Sequence, residues 1–255
     1  MSSTPVSEWF SVPVRQRDAR VRLFCFPFAG GSASTYFPWA RRLSAHGIEV
    51  YAVQPPGRGS RLLAPAFTDV ASLVQAIGDV IQPLMDRPAA FFGHSLGAVV
   101  AFELARWLRD RHLPLPAPLI VSGARAPDSP KEEPQLHTIM PDSAFAEAVA
   151  ERYRAIPPEV LADEELLALV LPALRADLTI NESYACVGAP PLPMDIVAYG
   201  GTEDFLVPED RLVQWRAQTT GGFAHRMFSG EHFFLNEHTA ELLADITARL
   251  AAIRS

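Results

Sequence analysis

The chain has 255 residues, of which 49% are hydrophobic and 20% charged, and its formal net charge is −7. This size and balance fit one folded domain with a sizeable core and exclude a disordered chain. The acidic balance argues against the basic face of a nucleic-acid binder, so no nucleic-acid partner is expected.

No apolar run approaches the roughly 18 residues that a membrane span needs, so no membrane partner is expected. Residues 1–10 lack a basic segment followed by an apolar one. No signal peptide is therefore read, and a cytoplasmic location is expected. Cys25 and Cys186 stand alone and form neither a disulfide framework nor a metal-ligand spacing, so they read as buried structural thiols. Arginine clusters at 15–22 and 106–111 read as solvated faces, with docking of an acidic partner protein as the alternative.

Six short apolar runs read as core strands: residues 21–26, 49–53, 89–92, 119–122, 195–199 and 224–228. Helical patterns fall between or after them at 35–46, 69–85, 98–111, 209–218 and 237–253. Strands alternating with helices predict an α/β fold, a mostly parallel central sheet with helices on both faces. Chemistry in such sheets gathers at the carboxyl ends of the strands.

Residues 130–190 interrupt the alternation. Helices are predicted over 142–155, 158–171 and 172–187, with breaks at Pro157-Pro158 and at Pro172, and with Asp142 and Asp163 as N-caps. Some 60 residues of helix between two core strands are too many for a crossover. They read as an inserted helical lid, about 130–190, within a single domain over 1–255. A helical subdomain without a gating role is the alternative. Phe145, Tyr153, Leu166, Leu169, Val170 and Leu174 are candidates to line a pocket there, although apolar lid faces commonly only pack. With no long exposed apolar strand and no heptad pattern, a monomer is expected.

The most informative stretch is Gly93-His94-Ser95-Leu96-Gly97, a G-x-S-x-G pattern between a predicted strand and a predicted helix. In that context it marks a nucleophile elbow, with Ser95 on the turn and glycines allowing strand and helix to approach. A serine hydroxyl is a poor nucleophile at neutral pH and needs a base, which in turn needs an orienting acid. In a hydrolase of this kind the chain order is Ser, then Asp or Glu, then His. Of the seven histidines, His232 alone follows the last predicted strand on a loop, so it is the candidate base. Asp204 follows the strand at 195–199 and is the candidate acid, with Glu203 and Asp128 as rivals. Leu96, next after the nucleophile, supplies one oxyanion amide. The loop Phe26-Pro27-Phe28-Ala29-Gly30-Gly31 supplies the other, from Ala29 or Phe28.

At these residues the chain resembles the type II thioesterases of polyketide and nonribosomal peptide assembly lines, a family that includes medium-chain acyl carrier protein thioesterases. The likeness covers nearly the whole chain. It rests on Leu23–Gly31, on Gln54-Pro55-Pro56-Gly57-Arg58-Gly59-Ser60-Arg61, on Phe92–Ala98, on Ser122–Pro127, on the Asp204 loop and on Gly230-Glu231-His232-Phe233-Phe234. One departure is Phe28, where the family often carries histidine.

The resemblance implies an α/β-hydrolase that hydrolyses acyl thioesters on the phosphopantetheine arm of an acyl or peptidyl carrier protein. It implies an editing role, with release of the finished product as the alternative, and a Ser95–His232–Asp204 mechanism with no metal or redox cofactor. Arg58 and Arg61 are expected to line or support the pantetheine entrance, with loop-bracing ion pairs as the alternative. A carboxylesterase acting on free small esters is the rival enzyme, and a catalytically silent binding module is the rival outside enzymes.

Overall fold

The computed structural model describes residues 8–131, 133–154, 156 and 158–253. Of residues 1–10, read for a signal peptide, 1–7 lie outside this set, as does Pro157 of the predicted break. Seven strands among the described residues form one sheet: β1 (Phe10–Ser11), β2 (Val21–Phe26), β3 (Ile48–Val53), β4 (Ala89–His94), β5 (Leu119–Ser122), β6 (Ile196–Gly201) and β7 (Phe223–Phe228). Their order is β1-β3-β2-β4-β5-β6-β7. All neighbours are parallel except β1, which pairs antiparallel with β3 through Phe10↔Val53 and Ser11↔Ala52. β1 is the strand that sequence reasoning missed, because two residues carry no readable alternation.

The central strands are continuous apolar runs because helices cover both faces. Every residue of β2, β3, β4, β5 and β6 is buried, whereas the edge strand β7 is half-buried. The two faces support separate hydrophobic clusters. One is built around Phe24, Phe91, Val121 and Leu104, the other around Leu23, Phe92, Ile120 and Leu242. Arg22 is the buried exception inside β2. Its guanidinium donates to Leu84 O at 2.6 Å and to Asp86, and lies 3.7 Å from Glu49.

The framework helices are α1 (Phe37–Leu43), α2 (Val70–Ile81) and α3 (Leu96–Asp110). Asp69 caps α2 by accepting from Ser72 N at 2.8 Å, and the helix buries Leu73, Val74, Ile77 and Ile81 at helical spacing. Between β5 and β6 lie α4 (Asp142–Tyr153), α5 (Pro158–Leu161) and α6 (Glu164–Ser183). The helices α7 (Glu209–Leu212), α8 (Phe234–Glu237) and α9 (Thr239–Ala251) complete the chain.

Two expectations for the inserted segment change. The predicted break at Pro172 is absent, and α6 runs through that proline to Ser183. A proline inside a helix removes one amide donor and strains against the preceding turn. Here the neighbouring Leu171, Ala173 and Leu174 are buried and hold the helix in place. Asp142 is not an N-cap. It is the first residue of α4, Pro141 precedes it, and its carboxylate pairs with Arg175 at 2.7 Å. Asp163 does cap α6, accepting from Glu165 N and Leu166 N at 3.0 Å each. The segment carries its own cluster of Leu136, Phe145, Val149, Leu171, Leu174 and Leu178.

Candidate active site

Ser95 sits between β4 and α3 with φ 54° and ψ −118°. A positive φ at a residue with a Cβ is strained and persists only when neighbours hold it. Ser95 N donates to Ser122 O at 2.8 Å, and Ser95 O accepts from Ala98 N at 3.0 Å. The two motif glycines serve close approach and leave the strained backbone to the serine itself. A Cβ on Gly93 would lie 2.1 Å from Gly97 O, and one on Gly97 would lie 2.1 Å from Phe26 O. The elbow therefore locks β4, α3 and the end of β2 together.

The loops after β6 and β7 bring Asp204 and His232 together. Thr202 N donates to Phe228 O at 2.8 Å and Glu203 N to Gly230 O at 2.9 Å, which ties one loop to the other. Asp204 is 3% exposed. Its Oδ1 accepts from Leu206 N at 3.0 Å and Val207 N at 3.3 Å, and its Oδ2 faces His232 Nδ1 at 2.8 Å. The opposite ring nitrogen, His232 Nε2, is buried and has no hydrogen-bond partner. His232 lines both clefts that Ser95 also lines. The rival acids stand elsewhere. Glu203 is exposed, and Asp128 is exposed and accepts from Gln218 Nε2 at 3.0 Å.

The elbow histidine has a different role. His94 is fully buried, with Nδ1 2.9 Å from Ser122 Oγ and its ring packed on those of Phe28, Phe233, Phe234 and His232. Burial, with the charge of nearby His232 adding to it, holds its pKa well below the usual 6.5. His94 is thus a neutral packing element behind His232.

Leu96 is the first residue of α3, so its amide has no intrahelical acceptor. The loop after β2 turns sharply: Gly31 N donates to Phe28 O at 2.8 Å, and Gly30 has φ 78°.

Two clefts reach Ser95. A wide one of about 910 Å³ carries Arg125, Lys131, Arg152, Glu133 and Glu182. Burial lowers the Lys131 pKa to about 8, and its amine donates to Asn181 O and Tyr184 O at 2.6 Å each. A smaller apolar recess of about 330 Å³ is walled by Phe28, Ala29, Val149, Leu174, Leu178 and Phe233. Tyr153, Asn181 and His232 face both clefts.

Several sequence-predicted residues are placed away from these clefts. Arg58 pairs bidentately with Asp177 of α6, at 2.5 and 2.9 Å. Arg61 lies 3.9 Å above the Trp9 ring and donates to Gln54 O at 3.2 Å. Both brace loops, as the alternative reading has it, and neither lines the two clefts at Ser95. Of the candidate pocket residues, Tyr153 and Leu174 line the recess. Phe145 is buried in the inserted cluster, and Leu166, Leu169 and Val170 face outward. Sequence reasoning missed Leu178 and Asn181, although both continue the Leu174 face at i+4 and i+7. Val149 and Phe233 were missed as well.

Comparisons with known proteins point to one family. The thioesterase domain family matches residues 21–250. Thioesterase PikA5 of Streptomyces venezuelae is 39% identical over 93% of this chain and 83% of its own length. The type II thioesterase BorB from the borrelidin biosynthetic cluster matches with a TM-score of 0.85 at 31% identity, over 98% of each chain. RedJ, a thioesterase from the prodiginine pathway in Streptomyces coelicolor, matches with a TM-score of 0.84 at 35% identity, over 91% of each chain. No helix among the described residues is long and apolar enough to cross a membrane. The chain belongs to the thioesterase family, as a serine-type α/β-hydrolase acting on thioesters and similar throughout to the type II thioesterases of polyketide and nonribosomal peptide biosynthesis.

Proposed function

We propose that the protein removes acyl groups from the phosphopantetheine arm of acyl or peptidyl carrier proteins, clearing stalled or misprimed assembly lines. The observation that carries this reading is the buried Asp204–His232 pair, whose histidine keeps Nε2 unpartnered and lines the same cleft as Ser95. Asp204 holds the His232 tautomer with the proton on Nδ1 and stabilises the imidazolium that forms. No hydrogen bond joins Ser95 to His232 Nε2 in this structure. Free hydrolases commonly have a loose contact there that tightens around substrate.

His232 Nε2 takes the Ser95 proton as Oγ attacks the thioester carbonyl. The tetrahedral oxyanion accepts from Leu96 N–H and from an amide of the Phe28–Ala29 loop. Collapse breaks the carbon–sulfur bond, and His232 returns its proton to the departing pantetheine thiol. Water, deprotonated by His232, then hydrolyses the acyl-Ser95 ester and releases the acid. The apolar recess suits the acyl chain, and the wide polar cleft suits the arm. The inserted helices act as a lid, since α4 and α6 supply walls to both spaces. Residues 1–255 are read as a single domain carrying that insertion.

The test is thiol release from a panel of acyl-pantetheine carrier proteins, with Ser95→Ala as control. Release by the wild type that the variant abolishes supports the reading. Turnover of nitrophenyl esters with no release from any carrier would make the protein a carboxylesterase and remove the carrier partner.

A further inference from the structure

Asp177 is a carboxylate on α6, 4% exposed, between the apolar residues Leu174 and Leu178. Its Oδ2 accepts from Gly30 N at 2.8 Å and from Arg58 Nη1 at 2.5 Å, while Oδ1 accepts from Arg58 Nη2 at 2.9 Å. Arg58 is itself anchored, because Gln54 Nε2 donates to its carbonyl at 2.9 Å. The same loop lies flush on α6, where a Cβ on Gly57 would be 3.2 Å from Ala173 Cβ. One buried group on an inserted helix thus grips the loop expected to supply an oxyanion amide.

The consequence follows from peptide planarity. The plane joining Phe28 to Ala29 holds both the Phe28 carbonyl and the Ala29 N–H, pointing opposite ways. Gly31 N–H fixes that carbonyl at 2.8 Å, and so orients the Ala29 amide. The plane joining Ala29 to Gly30 holds the Gly30 N–H, which Asp177 fixes. Both planes flanking Ala29 are therefore pinned, one from inside the turn and one from α6.

We infer that Asp177 is a positioning residue, which together with Arg58 aims the Ala29 N–H at the oxyanion and makes its alignment depend on the placement of α6. The inference rests on the Ser95 mechanism proposed above. Because α6 also presents Leu174, Leu178 and Asn181 to the clefts, cargo that displaces the helix acts on the oxyanion amide as well.

A purely structural ion pair makes a different prediction. Replacing both partners of a buried pair with apolar residues commonly leaves stability unchanged or raised, because no unpaired charge stays behind. The deciding variant is therefore the double substitution Arg58→Met/Asp177→Leu, assayed as the full chain on an acyl-pantetheine thioester and on nitrophenyl acetate. Competent Ser95 is counted with a fluorophosphonate. The expected result is a kcat per competent site lower by roughly 10- to 100-fold on both substrates, with KM within about twofold, since an oxyanion amide acts in the transition state. Affinity for an alkyl boronic acid, which forms a tetrahedral adduct on Ser95, should fall by the same factor.

Asp163→Ala, which frays the far end of the same helix, should leave kcat unchanged. Wild-type kcat in the double variant, or a loss of kcat with unaltered boronate affinity, overturns the inference. Should the double variant not fold, Asp177→Asn and Asp177→Ala decide. Asparagine keeps an acceptor for Gly30 N–H and should retain most of the kcat that alanine loses, and equal kcat in the two overturns the inference. If only nitrophenyl acetate is turned over, the carrier reading fails while the Asp177 test is still read on that ester.

Discussion

The elbow with its two acid–base loops and the inserted helices between β5 and β6 are built on opposite principles. At the elbow, backbone is packed against backbone. The Gly93 and Gly97 positions have no room for a methyl group, and Ser95 is held at a strained positive φ. The inserted helices have their own small core and leave Leu166, Leu169 and Val170 on the surface. They reach the sheet framework through Ile180, which is buried in the cluster on one face of the sheet, and through discrete polar links. Asp177 grips the loop after β2, Tyr184 Oη donates to Glu103 at 2.6 Å, and Arg106 donates to Val187 O at 2.8 Å. Rigid backbone packing suits groups that must meet a transition state, and a segment fastened at a few points suits walls that must accommodate different cargo.

The largest expected effect lies in the first region. Ser95→Ala should lower kcat by on the order of 10⁶-fold with little change in unfolding midpoint, since the strained turn and its hydrogen bonds persist. Retention of more than a hundredth of the activity would mean that another nucleophile does the work. Gly97→Ala should act through folding instead. Its Cβ would meet Phe26 O at 2.1 Å, and a clash with backbone cannot be relieved by a side-chain rotation. A loss of about 3 kcal/mol or more in urea unfolding is expected, at the severe end for point substitutions. A loss below about 1 kcal/mol would show that the helix can slide, and would dissolve the contrast between the two regions.

The same contrast decides what was legible in the sequence. Strand β2 was located to the residue, because a buried parallel strand has to be a continuous apolar run. Ser95, Asp204 and His232 were singled out by chain order and by their place after strands, and the structure sets Asp204 against His232 at 2.8 Å with Ser95 lining the same clefts as His232. The inserted segment was read less well. Proline statistics placed a break at Pro172, but burial of its neighbours overrides the local penalty. Outward-facing Leu166, Leu169 and Val170 look like pocket residues in sequence, since periodicity gives a face without saying what it faces. Arg58 offers the same lesson: its partner Asp177 is 119 residues away, and no local pattern announces a pair so distant.

A pH experiment tests the packing behind His232. His94 is held neutral in the fold by burial first and by the charge of His232 second, so its folded pKa lies well below the unfolded 6.5. Below that pH the unfolded chain binds a proton that the folded chain refuses. The contribution of His94 is therefore fully present above about pH 6.5 and is lost as pH falls from there toward its folded pKa. The limiting slope from this one group is about 1.4 kcal/mol per pH unit. His94→Asn should lower stability overall and flatten the dependence between pH 6.5 and 5. Parallel curves for wild type and variant would show that His94 charges freely and is not a sealed packing element.

The smallest expected effect belongs to the inserted helices. Asp163 caps α6 through two backbone amides, both in exposed surroundings, and Asp163→Ala should cost about 1 kcal/mol. Where that loss appears matters more than its size. If the inserted segment unfolds as its own unit, hydrogen exchange should speed up in α6 while β4, α3 and the loops of Asp204 and His232 keep wild-type protection. Turnover at saturating substrate should be unchanged, because Asp177 lies more than three turns further along the helix and still holds Gly30. Acceleration spreading evenly into β4 and α3 would mean that the two regions unfold together. In that case the polar links through Asp177, Glu103 and Arg106 bind them into one cooperative unit, and selectivity and chemistry would not be separable by substitution.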